Sequence, residues 1–271
     1  MINPATDPRE VAGSVVIGDG AVEIRLFPRW LVVRFGAQHD VLSAAPVGGG
    51  CRRARTVAWH EVRDDELCPP VDPERLLARR LAARGLSGAV ALLTSRDLTR
   101  HVTAERRHGG VSAQVVATVG LSNALRAGDP PGLGERAGTI NILCRVSETL
   151  SEVAAIETLS MVAEARTLAV LEASVKSSRS GLPSTGTGTD CIVVAWPIGR
   201  RKAQYAGKHT ELGHVVGAAV CDAVKQGVLA WQTEQSPLCS PKSDSPGIPS
   251  SPVTSVKGRP GTDGTVTRIS T

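Results

Sequence analysis

Aromatic residues are nearly missing from this chain. Of 271 residues, two are Phe, one is Tyr and four are Trp. A platform for single-stranded nucleic acid needs exposed rings on which bases stack, so that class is excluded. Long basic blocks are missing too. The arginines come in scattered pairs, as at Arg52-Arg53, Arg79-Arg80, Arg106-Arg107 and Arg200-Arg201. A net charge of +5 spread this way makes neither a DNA footprint nor a membrane-surface patch. No uncharged apolar run approaches the ~18 residues that span a bilayer. The opening residues, Met1-Ile2-Asn3-Pro4-Ala5-Thr6-Asp7, have neither the basic nor the apolar segment of a secretory signal, so the cytoplasm is the expected compartment. The six cysteines form no CxxC pair, which removes zinc-ribbon and thioredoxin-like motifs and leaves buried, reduced thiols as the expectation.

What is present is an ordinary globular composition, 41% hydrophobic and 21% charged, which excludes collagen-like, coiled-coil and wholly disordered chains. Short β-branched runs broken by Gly18-Asp19-Gly20 and Pro28-Arg29 predict strands at 14–17, 21–27 and 30–35, with further runs at 41–44, 56–62, 88–94, 111–119, 139–146 and 191–196. Asp72 before Pro73 predicts a capped helix ending near Gly85. Ser151 can cap a helix that runs to Ala173 on an apolar stripe, and Thr210 a second one to Trp231. The segment 98–107 is ambiguous, and the Gly- and Pro-rich stretch 122–137 reads as a long loop. Together these predict an α+β fold. Its sheet is largely antiparallel or mixed, single or as two stacked sheets, and two or three long helices cover it. A single domain is expected over 13–232. Residues 236–271 are rich in Ser, Pro, Gly and Thr and lack the apolar surface to offset ordering, so they read as a disordered tail.

Four polar, glycine-bearing constellations stand at predicted strand ends. Gly48-Gly49-Gly50 either lets a ligand approach the backbone closely or builds a tight loop. Thr118, Ser122 and Asn123 supply donors and acceptors, or a turn cap. Asn141 interrupts an apolar strand and must find partners, structural or ligand. In Ser184-Thr185-Gly186-Thr187-Gly188-Thr189-Asp190, hydroxyls alternate with glycines and a carboxylate closes the run. That suits polar recognition or an oxyanion pocket. It is neither a phosphate-binding P-loop nor a dinucleotide fingerprint, since no Gly-Lys-Ser/Thr follows and it precedes a strand. Glu164 is either a buried base or a helix-face carboxylate paired with an arginine. His209 lies beside the predicted start of a helix, where the dipole favours neutral imidazole able to accept a proton. His209 and His214 are five apart, unlike a zincin pair, and the sequence assigns no metal site. A phosphate-handling enzyme would need more carboxylates than Asp190 and Glu164 to hold Mg²⁺.

Six stretches taken together resemble the adenosylcobinamide amidohydrolase (CbiZ) family. They are LSAAPVGGG at 42–50, ATVGLSNA at 117–124, GTINIL at 138–143, AEAR at 163–166, TGTGTD at 185–190 and AGKHTELGHVVGAAV at 206–220. They follow the family order across roughly residues 14–230. The resemblance implies hydrolysis of the amide joining a corrin-ring propionate to aminopropanol in adenosylcobinamide, releasing adenosylcobyric acid for coenzyme B12 salvage. The implied partner is a corrinoid that brings its own cobalt. No nucleic acid or membrane is implied, no cofactor held by the protein is assigned, and a protein-bound metal and homo-oligomer formation are both left open. The resulting expectation gives proton transfer to His209, Asp190 or Glu164. Thr185, Thr187, Thr189 and neighbouring amides would take the oxyanion or substrate amides. Asn123 and Asn141, with Thr118 and Ser122, would meet the corrin's peripheral amides, and Gly48, Gly49 and Gly50 would make room for the flat macrocycle. Direct water attack is favoured over a covalent route through Ser184, Thr187 or Thr189, because no GxSxG elbow is present. A non-catalytic corrinoid-binding protein is the competing class.

Overall fold

The computed structural model describes residues 12–17, 21–132 and 138–235; the predicted tail at 236–271 lies outside them. In chain order the elements are β1 (Ala12–Ile17), β2 (Val22–Phe27), β3 (Trp30–Ser43), β4 (Gly50–Glu61), α1 (Pro73–Ala83), β5 (Val90–Thr94), β6 (Val102–His108), β7 (Val111–Val119), β8 (Ala124–Leu125), β9 (Ile140–Val146), α2 (Glu152–Glu172), β10 (Gly186–Thr187), β11 (Cys191–Pro197) and α3 (Glu211–Gln235). The expected α+β class holds. The sheet is mixed: β4–β5 and β11–β9 are parallel and its other pairs antiparallel, while β8 and β10 pair separately.

One strand makes two layers out of one sheet. The first half of β3, Trp30–Phe35, pairs with β2; its last residues, His39–Ser43, pair with β11. Between them the register against β4 shifts, from Arg34↔Thr56 to His39↔Ala54, and Gly36, Ala37 and Gln38 are exposed. Such an irregularity bends a strand. The β2–β5 half therefore stacks on the β6–β7–β9–β11 half, and Leu31, Val57, Trp59 and Leu92 share one core with Val116, Leu143 and Val193. The sequence breaks this strand into two runs because the bend carries no apolar alternation.

Period-two alternation then defines the outer layers. Val115, Ala117, Ile142, Cys144 and Val194 point away from the stacked core, into a second core with α2 and α3. Trp30, Val32, Ala58 and Ala91 face Leu77 and Leu81 of α1. All three predicted caps form: Asp72 Oδ1 accepts from the Glu74 and Arg75 amides, Ser151 Oγ from Ala154 N, and Thr210 Oγ1 from Gly213 N. No helix among the described residues is long and apolar enough to cross a membrane. At Gly227 helix α3 lies so close to β7 that a Cβ would sit 2.5 Å from Val119 Cγ2. Gly227→Ala is expected to destabilise by about 1–3 kcal/mol through overpacking, read as a lower denaturant midpoint.

Two buried histidines, His39 and His60, are built into polar clamps. His60, 3% exposed, points Nδ1 at the Arg29 carbonyl and receives Arg80 Nη1 at 2.5 Å on Nε2. Burial pushes its pKa down to about 4, with Arg80 and Arg29 adding to the effect. Its folded pKa is below its unfolded one, so the unfolded chain binds more protons between them. The contribution of neutral His60 is complete above about pH 6.5 and lost as pH falls to about 4, a difference of about 3 kcal/mol. Buried His39, whose Nε2 receives Arg145 Nε at 3.1 Å, is shifted the same way. Urea midpoints measured across this range are expected to fall steadily with acid and to flatten in His60→Gln.

Candidate active site

At the end of the stacked layers, a cavity of about 390 Å³ opens between the loop after β3, the end of β5, the loop before β9 and the start of β11. Its polar wall is Thr94, Ser95, Asn123, Thr139, Asn141, Thr189 and Asp190; Pro46, Val62, Leu67 and Leu93 make the apolar side. This size suits a small ligand or one arm of a large one. A larger open hollow of about 800 Å³ lies beside Arg34, Arg53 and Arg55, but none of the buried unpartnered polar atoms lines it.

Asp190 organises the wall. Its carboxylate, 8% exposed, accepts from Ile140 N at 2.9 Å, Thr187 N at 2.9 Å, Thr187 Oγ1 at 2.5 Å and Arg166 Nη1 at 2.5 Å. The 186–190 turn, β9 and α2 are thus tied to one side chain. Gly186 has to be glycine here, since a Cβ would meet Asp190 Oδ2 at 2.2 Å. With four donors tying three segments to one carboxylate, its geometry suits positioning. Asn141, 1% exposed, donates from Nδ2 to the Leu93 carbonyl at 2.7 Å and clasps the two layers together.

The opposite wall is less satisfied. Asn123 Oδ1 is buried and has no hydrogen-bond partner among the described residues. Such an atom is costly unless something else fills its need. A Cβ on Gly138 would lie 2.8 Å from Asn123 Oδ1 and 3.0 Å from the Ser122 and Asn123 amides. Gly138→Ala is therefore expected to displace this wall and to lower turnover at least tenfold, with the loss appearing in kcat/KM measurements. Thr139, which the sequence reading passed over for Asn141, is 6% exposed and directs Oγ1 to the Thr189 carbonyl at 2.8 Å and Asn141 Oδ1 at 3.3 Å. Its signal was available: a hydroxyl directly after a glycine at a strand start. Arg166 and Cys191 were also missed as parts of the site. Burial, with the Asp190 charge as a lesser cause, pushes the Cys191 thiol up to about 12.

Of the residues singled out from sequence, the cavity brings together Asn123, Asn141, Thr189 and Asp190. Thr187 acts through Asp190, and Thr185 accepts from Ala127 N at 2.8 Å, away from the lining. Thr118 is fully buried cross-strand from Asn141, its hydroxyl unpartnered; Ser122 is exposed. Ser184 donates to the Val175 carbonyl. Three groups singled out from sequence lie apart from the cavity. Glu164 is an exposed helix-face carboxylate paired with Lys208 at 2.6 Å, because its position on α2 faces outward. His209 is exposed beside the N-terminus of α3 and lines no part of the cavity. The glycine triplet forms a tight loop: a Cβ on Gly48 would meet Arg52 Nη1 at 2.6 Å and one on Gly49 the Ala45 carbonyl at 2.4 Å. Only Ala44 and Pro46 of that loop reach the cavity. Among the described residues no group of three or more His, Cys, Asp and Glu is placed to hold a metal ion. Alanine at His209 or Glu164 is expected to leave turnover within about twofold of the unaltered chain, since neither touches the cavity.

The model of the adenosylcobinamide amidohydrolase family matches residues 14–236, nearly all of the described chain. The chain belongs to this family. A protein named adenosylcobinamide amidohydrolase from Halobacterium salinarum is 32% identical over 187 residues, 65% of this chain and 75% of that one. One of the same name from Methanosarcina mazei is 28% identical over 169 residues, 59% of this chain and 76% of that one. An uncharacterised Methanocaldococcus jannaschii protein is 33% identical over 96 residues, and the match spans 37% of its length. Among solved structures, an L-aminopeptidase D-Ala-esterase/amidase from Ochrobactrum anthropi, described as a variant of the Ntn hydrolase fold, aligns over 78% of this chain and 77% of its own at 14% identity, with a TM-score of 0.35. The family match covers every segment that lines the cavity of this amidohydrolase-family chain.

Proposed function

We propose that this protein hydrolyses the amide between the corrin propionate and aminopropanol in adenosylcobinamide, giving adenosylcobyric acid and free aminopropanol. The observation that carries this reading is the unpartnered, buried Asn123 Oδ1 on the wall of a cavity inside the family-matched region. A carboxamide held this way accepts from an amide N–H or a hydroxyl, and the aminopropanol arm has both. A volume of about 390 Å³ takes that arm and leaves the macrocycle outside, at the mouth. Thr189 and the Asn123 side chain flank the amide, Asp190 and Arg166 keep the 186–190 turn in place, and the apolar side formed by Val62, Leu67 and Leu93 excludes water around the arm's carbons. The arm is then held by an acceptor fixed in place before it enters.

Incubating the purified protein with adenosylcobinamide tests this directly. Stoichiometric appearance of aminopropanol and adenosylcobyric acid is the expected result. Tight binding of the corrinoid with no release would establish instead a corrinoid-binding protein.

A further inference from the structure

Among the described residues, the cavity holds a nucleophile and no free base. Its titratable side chains are Asp190, whose oxygens already take four donors, and Cys191, a buried thiol beside that carboxylate. Among the described residues, the hydrogen-bond partners of Thr139 Oγ1 are the Thr189 carbonyl and Asn141 Oδ1, neither of them a base. An alcohol needs a proton acceptor to attack an amide. Chemistry supplies one without any further side chain when the threonine is itself a chain start, because its own α-amine then serves.

The peptide bond that hides this amine is surrounded in an unusual way. The Gly138 carbonyl accepts from Thr189 Oγ1 at 3.1 Å, which polarises it for attack. The Ser122 and Asn123 amides crowd Gly138 so closely that no side chain fits there. Asn123 Oδ1, buried and without a partner among the described residues, would lie 2.8 Å from a Cβ placed on Gly138.

We propose that the chain cuts its own Gly138–Thr139 peptide bond and that Thr139, then an N-terminal residue, is the nucleophile of the amide hydrolysis. Thr139 Oγ1 attacks the Gly138 carbonyl carbon, the C–N bond breaks, and the hydroxyl proton passes to the departing nitrogen. Water hydrolyses the resulting ester, leaving a Gly138 carboxylate, the Thr139 hydroxyl and a free α-amine. In turnover that amine takes the Oγ1 proton as Oγ1 attacks the substrate amide. The proton goes to the leaving aminopropanol, and water hydrolyses the acyl ester. The turnover half rests on the function proposed above; the cleavage half does not.

Intact-mass analysis and N-terminal sequencing of the purified full chain test it. Two polypeptides are expected, ending at Gly138 and beginning Thr139-Ile140-Asn141. Thr139→Ser is expected to be cut, and Thr139→Ala to remain a single chain with unchanged circular dichroism and no aminopropanol release. A single 28.3 kDa chain, active or inactive, overturns the proposal, as does a cut at another bond. A chain cut at this bond that releases no aminopropanol would leave the cleavage standing and end the functional reading. An uncut chain that does release it would do the reverse.

Discussion

Asp190→Ala should lose stability and activity together. The substitution removes the acceptor of four hydrogen bonds and strands the Arg166 guanidinium, 17% exposed, whose Nε already has no partner. An uncompensated buried charge of this kind costs about 3–5 kcal/mol. The 186–190 turn and the start of β9 would lose their common anchor, so turnover is expected to fall on the order of a hundredfold or more, as displaced catalytic groups do. Asp190→Asn keeps one oxygen but turns an amide donor toward a guanidinium, and is expected to lie between the two. Urea unfolding and aminopropanol release, measured on the same preparations, decide the matter. Were Asp190 a proton-transfer group instead of an anchor, the asparagine variant would be stable and inactive.

The second large effect has the opposite signature. Asn123→Ala removes a buried oxygen that has no partner among the described residues. Stability is therefore expected to stay within about 0.5 kcal/mol of the unaltered chain, or to rise. The same change removes the group that meets the aminopropanol arm, and kcat/KM is expected to fall about 10- to 100-fold, the equivalent of one buried hydrogen bond to substrate. A variant that unfolds readily but turns over normally would show that Asn123 is a structural cap, the turn reading that its Ser-Asn context also allowed.

Much of the fold could be read from the chain because local signals and burial agree. Asp72-Pro73, Ser151 and Thr210 each cap a helix where side-chain chemistry demands it. Runs such as 111–119 and 139–146 became strands buried on both faces, β7 and β9. The bend in β3 was invisible, because Gly36-Ala37-Gln38 carries no apolar alternation and its pairing is set by distant strands. At the site, the Thr/Gly/Asp run and both asparagines were legible as polar residues at strand ends. Their partners were not: Asp190 meets Arg166 across 24 positions and Asn141 meets Leu93 across 48, distances along the chain that no periodicity encodes. His209 and Glu164 had plausible chemistry in sequence, and only the packing of α2 and α3 shows that they face outward. The glycine triplet was ambiguous for a physical reason. A loop that packs its own backbone tightly and one that admits a ligand both need residues without a Cβ.

The central claim is that the aminopropanol arm enters the cavity between Asn123 and Asp190. A crystal structure of an inactive variant such as Thr139→Ala soaked with adenosylcobinamide tests it most directly. The arm's amide is expected within hydrogen-bond reach of Asn123 Oδ1, with the corrin ring at the mouth beside the Pro46 loop. A corrinoid seated instead on the outer face of α2 and α3, beside His209 and Glu164, would contradict it.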